Sequence, residues 1–278
     1  MAFSLSDFLY FIVIALVQGI TEFLPVSSSG HLVLLPEFTG QADYGISIDV
    51  AAHVGTLIAI LIYVRYEIIK MCIAIKQVMQ KKLRPQVNVV VDERSIMMLR
   101  LMIIASIPVM IAGFFISFYE PSFIRMVQTV AISNLIFAFF LWHSDKTREL
   151  KTDLNKMELK EALFIGLAQM LAIIPGTSRS GVTITVARYL GFDRTNAARF
   201  SLLLSVPVIL AAGFLQTFQI IKGERALQAN IALIVLIISC VVSLSVIHAM
   251  MAWIRRKSFN LFVIYRLILG IFLLVVTF

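Results

Sequence analysis

The sequence predicts an all-α polytopic membrane protein in which six transmembrane helices and two re-entrant helix hairpins form an inverted-topology repeat. Three observations carry that expectation: the composition, the lengths of the apolar blocks, and a similarity of the chain to itself. Of the 278 residues, 60% are hydrophobic and only 14% charged, with a mean hydropathy of +0.94. A water-soluble domain of this length needs a far more charged surface. The apolar residues also fall in blocks near the roughly 20 residues that cross a hydrocarbon core of about 30 Å.

Residues 8–38 form the first apolar stretch, interrupted by Pro25-Val26-Ser27-Ser28-Ser29-Gly30. Each half is too short to span, which predicts a re-entrant helix-turn-helix. The run Phe8 to Leu24 lacks a basic leader and ends in proline, so it reads as part of the mature protein and not as a cleaved signal. Spans are expected at 48–64, 96–118 and 124–142. The stretch 161–190 is broken in turn by Pro175-Gly176-Thr177-Ser178-Arg179-Ser180-Gly181 and predicts a second hairpin. Spans at 200–221, 229–251 and 259–278 complete the chain.

Offsetting the sequence by 151 residues lays Gln18 on Gln169, Ser27 on Ser178, Ser29 on Ser180 and Gly30 on Gly181. A register one residue longer continues the match, with Val54-Gly55 on Val206-Pro207. The chain therefore reads as a single membrane domain of two repeats, about 8–142 and 161–278, each a hairpin followed by three spans. Three is odd, so the second copy is inverted about an axis in the membrane plane.

Charge supplies an independent check. Lys and Arg number 24 against 16 Asp and Glu, a net +8, but the excess does not point to nucleic acid because the cations occupy the short segments between apolar blocks. Segments 65–95, 143–160, 188–199 and 252–258 are all basic, whereas 1–7, 40–47 and 119–123 contain no Lys or Arg and 220–228 only Lys222 and Arg225. The positive-inside rule makes the basic side cytoplasmic and puts both termini on the opposite, outer side. The hairpins then enter from opposite faces, and their tips can meet near the midplane.

Within the hairpins, Gln18 and Glu22 are four apart and share a helix face. A carboxylate at membrane depth costs roughly 3 kcal/mol or more unless paired or hydrated, which makes Glu22 a functional candidate. The first tip brings Ser27, Ser28, Ser29 and His31 to a helix start; the second brings Ser178, Arg179 and Ser180 to another. A serine-rich turn alone is more often a helix cap than a site. Two helix N-termini and a guanidinium converging in hydrocarbon, however, call for an anion, and phosphate suits an arginine fork surrounded by hydroxyls. A site walled by lipid favours a phosphorylated lipid over a soluble nucleotide, and no phosphate-binding glycine loop is present.

The stretches Gln18 to His31 and Pro175 to Gly181 closely resemble the two signature motifs of the undecaprenyl-diphosphate phosphatases, the bacitracin-resistance family. Asp49-Val50-Ala51-Ala52-His53-Val54-Gly55-Thr56 and the overall length are similar too. The resemblance implies hydrolysis of undecaprenyl diphosphate to the monophosphate, recycling the peptidoglycan carrier, with a divalent cation, Mg or Ca, as cofactor. It further implies that Glu22 holds the metal or positions the diphosphate, that Arg179 binds phosphate, and that Ser27, Ser28, Ser178 and His31 surround the scissile bond. Many members carry a second Glu where this chain has Gln18, and Asp49 is a substitute ligand to consider. Either Ser28 attacks phosphorus with His31 as base, or His31 activates water; the spacing leaves both open, with a lean toward the serine. The alternative function is a lipid-phosphate flippase, for which inverted repeats are the usual architecture. Partners are the polyprenyl diphosphate and the bilayer, with a homodimer left open.

Other polar residues read more plainly. His53, four after Asp49, suits a helix-linking hydrogen bond as well as a catalytic role, Arg266 reads as snorkelling to the cytoplasmic edge, and His143 and His248 sit at span ends. Cys72 and Cys240 have no metal or redox spacing.

Overall fold

The computed structural model describes residues 4–40, 46–84, 86–119, 126–147, 149–221 and 229–277. The expected outer segments 40–47, 119–123 and 220–228, with Lys222 and Arg225, fall largely outside these residues, as does Arg148. Among the described residues there are eleven α-helices, and the only β pairing is an isolated bridge between Lys151 and Phe192.

Helix α1 (Leu5–Thr21) starts at a reciprocal cap between Ser4 and Asp7, and α2 (Ser28–Thr39) ends at Gly40 in the left-handed region. Helices α3 (Ile46–Tyr63) and α4 (Arg65–Leu83) adjoin at Val64. They are followed by α5 (Glu93–Tyr119), α6 (Val127–Asp145) and α7 (Leu159–Gln169), which runs into a 3-10 turn over Met170–Ile173. Helices α8 (Arg179–Tyr189), α9 (Arg194–Ile221), α10 (Ala229–Ile254) and α11 (Asn260–Thr277) close the chain. The six expected spans correspond to α3, α5, α6, α9, α10 and α11, and each broken stretch is a helix-turn-helix. Helix α4 was not anticipated: it lies in the basic segment 65–95, burying Met71 and Ala74 while its lysines face outward.

Five helices, at 93–119, 127–145, 194–215, 230–254 and 260–277, are long and apolar enough to cross a membrane. Their outward faces carry Ile103, Phe115, Phe139, Leu210, Ile237 and Ile268, side chains that water would penalise. This is the pattern of a multi-pass membrane protein.

In lipid, helices associate through close backbone approach and interhelical hydrogen bonds, not through hydrophobic burial. Helix α3 packs along α10 at Gly55, where an added Cβ would meet the Leu236 carbonyl oxygen at 2.3 Å. Ser239 and Ser243 on α10 donate to the carbonyls of Ala15 and Gly19 on α1, at 3.1 and 2.9 Å. Gly166 of α7 lies against Ala105 of α5, and Gln169 donates to the Ala105 carbonyl at 3.3 Å. Each hairpin thus leans its first helix on a long helix from the other half of the chain. At the basic end, Asp145 accepts from Arg194 Nε at 2.6 Å and from the Phe259 N–H at 3.1 Å, and the buried Arg188 donates to the Phe192 carbonyl at 2.6 Å. That cluster fixes the ends of α6, α8, α9 and α11 against one another.

Candidate functional site

The two hairpin tips are built alike and touch. Ser27 and Ser178 are the only non-glycine residues with positive φ among the described residues, at 75° and 72°. This region costs an L-residue roughly 1–2 kcal/mol, so the turn is imposed by its surroundings. Each serine caps the helix that follows: Ser27 Oγ accepts from the Gly30 N–H at 3.3 Å, and Ser178 Oγ from the Gly181 N–H at 3.1 Å. Across the contact, Ser27 Oγ also accepts from the Gly176 N–H at 3.1 Å, and Ser180 Oγ donates to the Leu24 carbonyl at 2.8 Å. Gly176 has φ 91° and lies so close to α6 that a Cβ would sit 2.0 Å from Ser133 Oγ. Ser133 in turn donates to the Pro175 carbonyl at 2.5 Å.

This contact assembles Gln18, Glu22, Ser28 and Arg179, four of the residues singled out in the sequence. Glu22 is almost wholly buried and sits at the centre. Its Oε1 receives Arg179 Nη2 at 2.9 Å, and its Oε2 receives both Ser28 Oγ and Gln18 Nε2 at 2.8 Å. Arg179 is held from behind by the Ser201 carbonyl, 3.2 Å from Nη1, and flanked by the Phe23 ring. A buried carboxylate is tolerated here because a guanidinium, a hydroxyl and an amide each donate to it. His53 of α3 lies on the same helix as Asp49, and its Nδ1 faces the Asp49 backbone carbonyl at 2.7 Å.

The expected meeting of Ser28 with His31 does not occur in this structure. His31 Nδ1 faces the Ser27 carbonyl at 2.6 Å and Nε2 faces the Tyr265 hydroxyl at 2.5 Å, while the Ser28 hydroxyl is given to Glu22. A carbonyl only accepts, so Nδ1 carries a proton and Nε2 is the nitrogen that meets the Tyr265 hydroxyl. The Ser27 and Ser178 oxygens are engaged as caps. His143 and His248 meet the Tyr189 hydroxyl and the Leu244 carbonyl.

Arg266 requires a correction. The expectation that it snorkels to the cytoplasmic edge fails, since it is 0% exposed and its guanidinium donates to the carbonyls of Pro25, Gly176 and Thr177 at 3.2, 2.7 and 3.0 Å. Sequence position alone put it near the end of a span; only the fold brings both tips to it. Tyr265 was missed for the same reason, although an arginine inside an apolar helix was the signal that could have flagged this turn of α11.

A divalent cation at the tips would need oxygen donors. Among the described residues no three His, Cys, Asp or Glu side chains converge into a cage. Gln18 Oε1, however, is buried without a hydrogen-bond partner, beside the Glu22 carboxylate and the Ser28 hydroxyl. These are hard oxygen donors of the kind that hold Mg through one carboxylate, with phosphate oxygens completing the shell. The set fits an ion shared with a substrate. Two cavities, of about 410 and 460 Å³, lie elsewhere, around Glu67, Lys70 and Arg199, and neither is lined by Gln18, Glu22 or Ser28.

Comparison with known proteins identifies the family. The family model described as "Bacitracin resistance protein BacA" matches residues 11–272. A protein of Alteromonas mediterranea named undecaprenyl-diphosphatase is 40% identical over 264 residues, covering 95% of this chain and 96% of its own. Proteins of the same name from Maricaulis maris and Alcanivorax borkumensis are each 40% identical, over 272 and 268 residues, covering 96% of this chain and 98% of theirs. With a match over nearly the whole chain, and with both tips inside it, this protein belongs to the bacitracin resistance protein BacA family.

Proposed function

We propose that the protein hydrolyses undecaprenyl diphosphate to undecaprenyl phosphate and inorganic phosphate, returning the lipid carrier to peptidoglycan synthesis. One observation carries the reading: Glu22 and Ser28 from one motif and Arg179 from the other share a hydrogen-bonded cluster, in a chain whose relatives are named for that activity. A flippase has no such support from the relatives' names, and a pure carrier needs no serine hydroxyl held by a carboxylate.

The arrangement proposed in the bilayer is six spans and two re-entrant hairpins in one domain, with halves about 8–142 and 161–278 related by an in-plane two-fold. The matching positive-φ serines and the exchanged packing of α1 on α10 and α7 on α5 support it. Basic segments on one side support a cytoplasmic assignment for that side and outer termini.

In the proposed chemistry the terminal phosphate takes the place between Arg179 and the tip helices, whose N-termini favour the anion. Arg179 turns its fork from Glu22 to two phosphate oxygens and offsets charge that develops as the bridging P–O bond breaks. Ser28 Oγ, 2.8 Å from Glu22 Oε2, can pass its proton to that carboxylate while forming the new O–P bond; water then cleaves the phosphoserine and Ser28 regains its proton. In the alternative, water attacks directly and Ser28 only binds. Ser27 and Ser178 hold the turns that aim these groups, and His31 is oriented by Ser27 and Tyr265. Gln18, Glu22 and Ser28, with Asp49 as a more distant candidate, would hold a Mg or Ca ion, which would supply positive charge against the diphosphate oxygens. The test is phosphate release from undecaprenyl diphosphate by purified protein in detergent, where there are no two sides to transport between. Absence of release by folded, cation-supplied protein would refute the hydrolase.

A further inference from the structure

We infer that Arg266 is a positioning residue that locks the two hairpin tips in the register where Arg179 faces Glu22. The inference rests on the proposed hydrolase site and adds a residue outside both motifs. Arg266 lies in the last helix, yet its guanidinium bridges the tips: Nη1 donates to Pro25 on the first, and Nη2 to Gly176 and Thr177 on the second.

None of the ion pairs found among the described residues includes Arg266, and its guanidinium, 0% exposed, donates to carbonyls alone. Buried arginine without a counter-ion is costly in an apolar protein, and a span needs none there. What the guanidinium provides is its planar fork, which reaches acceptors on two separate turns at once. Lysine, with one nitrogen, cannot span them. Space is kept for it: a Cβ on Gly181 would come within 3.0 Å of Arg266 Nη1. The carbonyls it binds flank the turns at Ser27 and Ser178, whose strained backbone must be held from outside. The adjacent Tyr265 bonds and stacks with His31, so one turn of α11 controls the first tip at two points.

The experiment pairs amide hydrogen exchange with kinetics on purified Arg266→Lys, Arg266→Gln and Gly181→Ala in detergent. In all three, exchange at residues 24–30 and 175–181 is expected to accelerate about tenfold or more, with α5 and α10 unchanged. In the same variants kcat for undecaprenyl diphosphate is expected to fall about tenfold or more while KM moves less than about threefold, the signature of lost positioning. Gly181→Ala crowds the guanidinium without removing it and keeps the test open if the Arg266 variants do not fold. Wild-type exchange at the tips, or unchanged kcat with loosened tips, overturns the inference. If the wild type releases no phosphate, the hydrolase reading falls, and tip exchange alone decides whether Arg266 locks the tips.

Discussion

Arg179 and Glu22, 157 positions apart, form an ion pair of 2.9 Å at the contact between two strained turns. Each neutralises the other in a place where neither would be tolerated alone. Arg179→Ala should therefore abolish phosphate release, and Arg179→Lys should restore little of it, because a point charge lacks the fork that grips two oxygens. Near wild-type turnover in the Lys variant would show that Arg179 supplies only charge. Glu22→Gln should be less damaging to folding than Glu22→Leu, since the amide can still accept from Ser28.

Ser28→Ala separates the two chemical routes. If the serine forms the covalent bond, turnover should drop by several orders of magnitude. If water attacks, the change removes a hydrogen bond worth roughly 1–3 kcal/mol, about a ten- to hundredfold loss. A phosphate-release assay sensitive to 1 part in about 10⁴ distinguishes them.

Removal of divalent cations by a chelator should stop turnover, with recovery on adding Mg or Ca. Gln18→Leu should raise the cation concentration needed for half-maximal rate, because it deletes the unpartnered Oε1. Turnover that persists through chelation and dialysis would remove the ion from the scheme.

Gly176→Ala tests the tip geometry without touching a polar side chain. It combines φ 91° with a Cβ 2.0 Å from Ser133 Oγ and 2.5 Å from the Val130 carbonyl oxygen, so thermal stability in detergent should fall by about 2 kcal/mol or more. Gly113→Ala, which meets nothing within 4 Å in the middle of α5, should be neutral or stabilising by up to about 1 kcal/mol.

At the basic end, Asp92 caps α5 by accepting from the Ser95 N–H and hydroxyl at 3.2 and 2.7 Å, and these bonds hold its carboxyl below the usual range. A depressed folded-state value means the cap is fully stabilising at neutral pH and is lost as pH falls through that value. Asp92→Ala should cost about 1 kcal/mol at pH 7 and progressively less below pH about 4, as read by thermal unfolding across pH.

Membrane solvation, the helix positions and the breaks at Pro25 and Pro175 were legible in the sequence, because hydropathy and proline act locally. The polar residues that meet at the tips were legible as well: a carboxylate in an apolar run at Glu22, serines at two breaks, and a repeat that paired the tips. How they connect was not. Spacing along α2 suggested that Ser28 meets His31, yet the partners that claim them, Glu22 across the turn and Tyr265 on the last helix, are chosen by packing. Arg266 shows the same division. By sequence it was a cation seven residues into a span and free to reach the interface; in the fold, α6 and α11 lie together and the tips close over it, so its donors find three carbonyls instead of water. Hydrophobicity and backbone chemistry are properties of a segment and can be read from it, whereas a buried polar group takes whichever partner the assembled helices bring within hydrogen-bonding distance.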